Sequence, residues 1–190
     1  MRLRYILLLA LVACSCKEKP APVAETHVRN VLLITIDTLR ADALSVYGSK
    51  IPTSFFESFA GRSMVFENAY TCAPLTLPAH VSLLTGLYPP SHGVRNNGAF
   101  QAPANLEMLP EFAKRNGAST AAIIGGYPLA SQFGTDQGFD HYDDSFFEAE
   151  KMPGVFLYAE KDARAVRMAA EEWLKKLPPD RSYFLWLHFF

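Results

Sequence analysis

The sequence has few cysteines, almost no net charge and no long apolar run, and each absence excludes a class of protein. Only one of its three cysteines, Cys72, lies beyond the first sixteen residues, so the folded part cannot hold a disulfide framework. The 18 Lys and Arg residues nearly balance the 19 Asp and Glu residues. No basic cluster follows the first twenty residues, so we expect no nucleic-acid binding. No apolar run reaches the roughly 20 residues that a membrane-spanning helix needs.

What is present is the composition of a globular domain. Hydrophobic residues make up 49% of the chain and charged residues 19%, far from the low-hydrophobicity signature of disorder. A chain of 190 residues is long enough for one domain, which would bury roughly 70% of the surface of its unfolded form.

The N-terminus predicts export. A basic start precedes the apolar run Tyr5 to Ala13, which is too short for a membrane span and fits the core of a signal peptide. The run ends at Cys14 in a sequence that resembles the lipobox of bacterial lipoproteins. We therefore expect a lipoprotein signal peptide over residues 1–13, lipidation of Cys14 and a flexible tether over residues 14–27. The alternative is a plain secretory signal cleaved near Cys14. Both interpretations export the protein, and the lipidated form would be anchored to a membrane of the bacterial envelope, in the periplasm.

Residues 28–190 alternate strand and helix signals. Apolar β-branched runs predict strands, and periodic apolar residues bounded by Gly or Pro predict helices. The predicted strands cover 28–36, 64–70, 118–124 and 183–190, and the predicted helices cover 53–62, 76–85, 106–116 and 159–177. This order is typical of an α/β domain with a doubly wound, mostly parallel sheet flanked by helices. The first run is nearly continuous, so we expect that strand to be buried on both faces.

The chain ends inside the last predicted strand, at His188-Phe189-Phe190. A buried strand with no polar exit predicts that the C-terminal part of the domain is missing.

The first predicted strand ends in a carboxylate, Asp37. In an open α/β sheet, ligands bind at the carboxyl ends of the strands. Asp37 can therefore bind a metal, bind a ligand or cap the following turn, and its position alone does not decide between these roles.

The helix predicted over 76–85 begins with Thr76, which we expect at the N-cap, with Pro78 in the first turn. A capping Thr is common, but a helix N-terminus is also an anion site, because its free N–H groups and positive dipole end point outward. A Thr hydroxyl is a weak nucleophile that needs a neighbouring metal, and Asp37 can supply part of that metal's shell.

Three blocks of this sequence resemble signatures of the sulfatase family of the alkaline phosphatase superfamily. Asn30 to Gly48 (NVLLITIDTLRADALSVYG) and Ala69 to Gly98 (AYTCAPLTLPAHVSLLTGLYPPSHGVRNNG) are similar to its two N-terminal blocks. Gln132 to Asp144 (QFGTDQGFDHYDD) is similar to a third block of many bacterial members. The resemblance implies an alkaline-phosphatase-like fold over 28–190. It also implies an enzyme that hydrolyses sulfate or phosphate esters of small molecules, glycans or lipids.

The nucleophile block departs from the formylglycine-dependent sulfatases, which carry Cys or Ser, then Pro two residues later and Arg two residues after that. This chain has Thr76-Leu77-Pro78-Ala79-His80, and Thr cannot be converted to formylglycine. Cys72-Ala73-Pro74 imitates the start of that motif, but the register of Ser82 to Gly86 favours Thr76 as the nucleophile. We expect Cys72 to be a small buried apolar residue.

The same block is similar to the nucleotide pyrophosphatase/phosphodiesterase branch, which uses a Thr nucleophile and an Asn that donates to a non-bridging oxygen of the substrate. The matching residue here is Asn97, or Asn96 if the loop shifts by one. A neutral amide donor suits a developing oxyanion. His80 can bind substrate or, as an equal alternative, pack against the sheet.

The resemblance also implies two divalent ions held by Asp and His residues from both halves of the fold. Asp37 and Thr76 match ligands of one ion. Many sulfatases have a second Asp after this one, where this chain has Thr38. Zinc suits a phosphodiesterase-like shell, and calcium or magnesium suits a sulfatase-like one.

These features favour a hydrolase in which Thr76 attacks the ester, a covalent intermediate forms and water releases it. Phosphate esters are favoured over sulfate esters, because the formylglycine motif is absent. With part of the metal site expected beyond residue 190, we expect this stretch alone to be inactive. The alternatives are a non-catalytic or truncated surface lipoprotein, and a phospho-group transferase of the same superfamily.

Overall fold

The computed structural model describes residues 29–146 and 160–190. The predicted signal peptide (1–13), the tether (14–27) and the predicted lipidation site Cys14 lie outside the described residues. In the part that is described, no helix has the length and apolar character to cross a bilayer.

Four parallel strands form one sheet, in the order β1–β4–β2–β3. Their bounds are β1 Asn30–Ile36, β2 Ser119–Ile124, β3 His141–Asp143 and β4 Tyr183–Phe189. Parallel neighbours need crossover connections, and helices supply them here. The predicted α/β class is therefore confirmed.

The described residues form five α-helices: α1 Ser54–Ala60, α2 Thr76–Thr85, α3 Pro89–His92, α4 Leu109–Arg115 and α5 Ala163–Lys176. Of these, α2, α4 and α5 pack against the sheet. One core lies where α2 meets the sheet, and Leu77, Val81 and Trp186 are fully buried in it. A second core lies on the opposite face, where Val166 of α5 packs with Leu185. The sheet is thus covered on both faces, as a doubly wound fold requires.

Helix α2 forms where the sequence predicts it, and local chemistry explains both its buried face and its end. Leu77, Val81 and Leu84 are buried and follow helical spacing, so one stripe of the helix faces the sheet. Gly86 closes the helix in the left-handed region (φ 71°), and its N–H donates to the Ser82 carbonyl at 2.8 Å. This packing fixes the N-terminal end of α2 beside the carboxyl ends of β1 and β4.

Two other helices begin later than predicted, and capping residues set their start points. Helix α4 starts at Leu109, where the Glu111 carboxylate accepts from the Met108 N–H at 2.8 Å. Helix α5 starts at Ala163, where the Asp162 carboxylate accepts from the Ala165 N–H at 2.7 Å.

The predicted strand over 64–70 is wrong. This stretch is irregular and pairs with no other strand of the described chain, and Met64 and Tyr70 are 80% and 86% exposed. Alternating apolar residues make a strand only where a neighbour satisfies its backbone groups.

The prediction that β1 is buried on both faces is also wrong for the described residues. Leu32 and Ile34 are 52% and 50% exposed. Strand β1 lies at an edge of the sheet, and α5, which covers that face, packs against β4 and β2.

Candidate active site

The fold brings Asp37 and Thr76 into direct contact. The Thr76 hydroxyl Oγ1 donates to Asp37 Oδ2 at 3.0 Å, although the residues lie 39 positions apart. The Asp37 N–H continues the sheet ladder by donating to the Phe189 carbonyl at 2.8 Å. Both side chains line a cleft of about 370 Å³, together with His80 and Asn97. The four side chains predicted for the site thus meet in one place.

Thr76 is not the N-cap that the sequence predicts. The N-cap is Leu75, and Thr76 is the first residue of α2. The Asn97 side chain takes over the capping role, since its Oδ1 accepts from the Leu77 N–H at 2.9 Å. The Thr76 hydroxyl therefore does not cap the helix, and it donates to Asp37 instead.

Asn97, rather than Asn96, faces the cleft. Asn97 is half-buried against α2, whereas Asn96 is exposed and its Oδ1 accepts from the Asn97 N–H at 2.8 Å. With its oxygen held by Leu77, the Asn97 amide NH₂ makes no hydrogen bond within the described chain. The arrangement leaves a fixed neutral donor in the cleft that Thr76 also lines.

His80 packs against the sheet, which is one of its two predicted alternatives, and its ring also lines the cleft. Its role in substrate binding stays a prediction. Its Nδ1 donates to the Thr76 carbonyl at 2.7 Å, and its ring stacks on Trp186 with centroids 5.6 Å apart. Burial lowers the pKa of His80, although the Thr76 carbonyl and the Asp37 charge oppose this shift. The ring is neutral at pH 7, so it cannot supply the positive charge of the Arg that formylglycine-dependent sulfatases carry here.

One residue to which the sequence resemblance gave no definite role lies beside the site. His188, at the end of β4, pairs in register with Thr35, and its Nδ1 lies 2.9 Å from Thr35 Oγ1. Its Nε2 lies 3.8 Å from Asp37 Oδ2. Burial, with a smaller contribution from His80, lowers the pKa of His188 to about 3, so the ring is neutral. A polar residue closing an apolar strand is the signal that could have identified it.

The backbone turns sharply after Asp37. Thr38 has φ 53°, the only residue other than glycine in the left-handed region among those described. Strained backbone of this kind persists where the surrounding structure holds it in place, often at functional sites. The turn follows directly after Asp37, whose side chain contacts Thr76 at the start of α2.

The donors present fit one side of a divalent-ion shell. Asp37 and Thr76 offer oxygen ligands, which suit hard cations as well as zinc. No Lys or Arg of residues 29–146 or 160–190 forms an ion pair with Asp37, so its charge has no fixed protein cation. Those same ranges contain no cluster of three or more His, Cys, Asp or Glu side chains able to hold a metal. A complete shell therefore needs ligands beyond the described ones.

Cys72 corrects another expectation. It is exposed and lies in the irregular stretch before α2, so it is not a buried apolar residue. Cys72-Ala73-Pro74 resembles the start of the formylglycine motif, but these residues precede helix α2. The residue at the start of α2 is Thr76.

Comparison with known proteins finds relatives among sulfatases and among nucleotide pyrophosphatase/phosphodiesterases. A sulfatase of Formosa agariphila is 31% identical over 135 residues, which cover 65% of this chain and 26% of that protein. The ectonucleotide pyrophosphatase/phosphodiesterase family member 1 of Rattus norvegicus is 31% identical over 97 residues, covering 50% of this chain and 10% of that protein.

The structural comparison supports the same fold. A solved structure of a protein in complex with its substrate D-glucosamine-2-N,6-O-disulfate matches with a TM-score of 0.68 at 22% identity, covering 85% of this chain and 34% of that chain. The chain spans about a quarter of the length of the curated sulfatase that it matches. The sulfatase family model matches residues 29–190, and this chain therefore belongs to the sulfatase family.

Proposed function

We propose that this chain carries the nucleophile half of an ester hydrolase, with Thr76 as the attacking residue. One observation carries the proposal: a Thr hydroxyl at the start of a helix donates to a strand-end carboxylate, Asp37, at 3.0 Å. The helix N-terminus attracts the negative charge of a phosphate or sulfate group. Nucleophile and anion site therefore coincide.

The reaction runs in two displacements. In the first, Oγ1 of Thr76 forms a bond to the phosphorus or sulfur, the ester bond to the alcohol breaks, and the alcohol leaves with a proton. In the second, the oxygen of a water molecule forms a bond to the phosphorus or sulfur and the bond to Thr76 breaks. One proton of the water restores the Thr76 hydroxyl, and the phosphate or sulfate product leaves. Asp37 Oδ2, which accepts the Thr76 proton, leaves the oxygen lone pairs of Thr76 available to the substrate.

Asn97 supplies the oxyanion donor in this proposal. Its Oδ1 is fixed by the Leu77 N–H, so its NH₂ group does not have to reorganise when charge develops on a non-bridging oxygen. A donor held in place before the reaction stabilises the transition state more than one that must be ordered during it.

Asp37 and Thr76 would hold a divalent ion, either zinc or calcium or magnesium, whose charge would favour the ionised Thr hydroxyl. The remaining ligands would come from outside the described residues. We accordingly propose that residues 1–190 do not catalyse turnover by themselves, and that activity belongs to the complete gene product.

The substrate class that we propose is a phosphate ester, with a sulfate ester second. Thr76 cannot supply the formylglycine on which most sulfatases depend, whereas a Thr nucleophile is the resemblance shared with the phosphodiesterase branch. The alcohol part is a small molecule, a glycan or a lipid. The disulfated glucosamine bound to a structural relative supports the glycan option.

Thr76→Ala tests the proposal in the complete gene product. We expect turnover of a phosphate diester, a phosphate monoester and a sulfate ester to fall at least about 1,000-fold, because the nucleophile is lost. Thr76→Ser is the matched control, since it keeps the hydroxyl and should retain most activity. Full turnover by Thr76→Ala would show that another group is the nucleophile.

The cellular location is a separate proposal. We propose that the protein is exported and anchored to a membrane of the bacterial envelope through a lipid on Cys14. In Cys14→Ser cells, the protein should move from the membrane fraction to the soluble fraction or keep an uncleaved signal. An unchanged membrane fraction with a normally processed N-terminus would contradict lipidation.

A further inference from the structure

His188 is a buried polar residue beside the site that the proposed reaction does not use. Its side chain is 0% exposed, and Nε2 has no hydrogen-bond partner within the described chain. The Asp37 carboxylate oxygen Oδ2 lies 3.8 Å from this nitrogen. Buried polar groups without partners are rare, so each one requires an explanation.

Thr35 determines which ring nitrogen of His188 carries the proton. The indole Nε1 of Trp186 donates to Thr35 Oγ1 at 3.0 Å, and an indole N–H can only donate. The Thr35 oxygen can accept a second hydrogen bond, but within the described chain its own proton has no acceptor other than His188 Nδ1, at 2.9 Å, so Thr35 donates to that nitrogen. Because Nδ1 accepts, a neutral His188 carries its proton on Nε2, the atom that faces Asp37.

The second nearby histidine does not compete for this role. The ring of His80 packs edge-on against His188 with centroids 4.8 Å apart, and its Nδ1 donates to the Thr76 carbonyl. A neutral His80 therefore has no proton on Nε2 to donate to Asp37. Two aromatic rings, His80 and Trp186, thus hold the His188 ring in one orientation.

We propose that His188 is a positioning residue whose Nε2–H donates to Asp37 Oδ2 and holds that carboxylate against Thr76. The contact must shorten by about 1 Å to reach hydrogen-bond range, and a small rotation of the Asp37 side chain is enough. Asp37 Oδ2 would then accept from Thr76 and His188 together. The catalytic consequence rests on the proposed function, in which Asp37 orients and helps to activate Thr76.

The proton position can be tested without any turnover. In imidazole ¹⁵N–¹H correlation spectra of the complete gene product, His188 should show the Nε2–H tautomer, and its Nε2 resonance should move in Asp37→Asn. In Thr35→Val, which removes the hydroxyl, the preference for that tautomer should weaken. A proton on Nδ1, or an Nε2 resonance that ignores Asp37→Asn, would overturn the proposal.

Variants of His188 test the catalytic consequence. We expect His188→Phe, which keeps the ring shape, to lower kcat by about 10–100-fold with little change in KM, as for other groups that orient a ligand. His188→Gln, whose amide can donate near the Nε2 position, should restore most of the loss. His92→Gln is the matched control, because His92 is also buried but lies away from the cleft, with its Nε2 2.8 Å from Ser82 Oγ.

A double variant separates positioning from general packing. If His188 acts through Asp37, adding His188→Phe to Asp37→Asn should cause no further loss of kcat. Multiplied losses would mean that His188 acts independently, which would overturn the proposal. If Thr76→Ala instead keeps full turnover while Nε2 still responds to Asp37→Asn, the proposed function fails and the contact stands.

Discussion

Two carboxylates lie at the carboxyl edge of the same sheet, Asp37 after β1 and Asp143 at the end of β3, and they differ in what faces them. Asp143 Oδ1 lies 2.6 Å from the Nζ of Lys161, whose side chain is only 4% exposed. Asp37, 12% exposed, faces the Thr76 hydroxyl and the neutral ring of His188. One charge is balanced inside the fold, and the other is balanced by no Lys or Arg that the structure describes.

The comparison shows that position in the sheet does not by itself distinguish a functional carboxylate from a structural one. Both residues occupy the edge where α/β folds bind ligands. A carboxylate with its own lysine is already neutralised, and exchanging that lysine for a metal would cost a buried ion pair. A carboxylate held by hydroxyl and imidazole groups keeps its charge available, so Asp37 is the residue suited to a cation.

The largest expected effect is at Asp37. Asp37→Asn should lower kcat by roughly 1,000-fold or more. The loss of a metal ligand should exceed the 10–100-fold loss that is typical when a group that only orients a metal ligand is removed. Thermal stability should be unchanged or slightly higher, because the substitution removes a charge that no Lys or Arg of the described residues balances, and the Asn amide oxygen can still accept from Thr76. Steady-state kinetics and a thermal melt of the same preparation provide both readouts. A large loss of stability would make Asp37 a structural carboxylate like Asp143.

Asp143→Asn should give the opposite result. The substitution leaves Lys161 buried without its charge partner, so the free energy of unfolding should fall by about 3 kcal/mol, while kcat changes little. Urea unfolding measures the loss. Asp143→Leu combined with Lys161→Met removes both charges and should recover part of this stability. If Asp143→Asn lowered kcat as much as Asp37→Asn does, Asp143 would also be a functional carboxylate, and the proposed difference between the two residues would be wrong.

Asn97 sharpens the comparison from the substrate side. Asn97→Asp keeps the oxygen that accepts from Leu77 but replaces the amide donor with a charge, so kcat should fall by about 100-fold while α2 keeps its cap. Asn96→Asp is the matched control, because Asn96 is exposed and should leave kcat nearly unchanged. Equal losses at the two positions would point to general electrostatic repulsion of the anionic substrate instead of a specific donor.

Local features of the sequence predicted the helix and the strands that surround the candidate site. The bounds of α2 followed from its apolar spacing and from Gly86, and β2 and β4 formed within one residue of their predicted ends. The closeness of Asp37 and Thr76 was implied by the family resemblance, which makes both residues ligands of one ion.

The features that were missed depend on contacts between distant parts of the chain. The cap of α2 comes from Asn97, in a loop, and no local pattern predicts that an amide oxygen returns to Leu77. His188 meets Thr35 only through the register of β1 with β4, and Lys161 meets Asp143 across a separation of 18 residues. The stretch over 64–70 has the alternation of a strand but lacks a partner within the described chain. Register, partner choice and the pairing of buried charges are fixed by tertiary packing.

The smallest expected effect distinguishes the two carboxylates by pH. Burial alone would raise the pKa of Asp143, but hydrogen bonds from Lys161 and Ser145 outweigh it, so this pKa lies below its usual range. A carboxyl with a lowered pKa contributes stability that is complete above its unfolded pKa of about 4 and is lost as pH falls through the folded pKa. The stability gap between wild type and Asp143→Asn should therefore be largest near neutral pH and should narrow in acid. The buried neutral histidines also destabilise the fold in acid, but they do so equally in both proteins, so the difference isolates Asp143. Urea unfolding at a series of pH values from neutral to acid measures the gap. A gap that stays constant across this range would mean that the Lys161 pair does not hold Asp143 in its charged form.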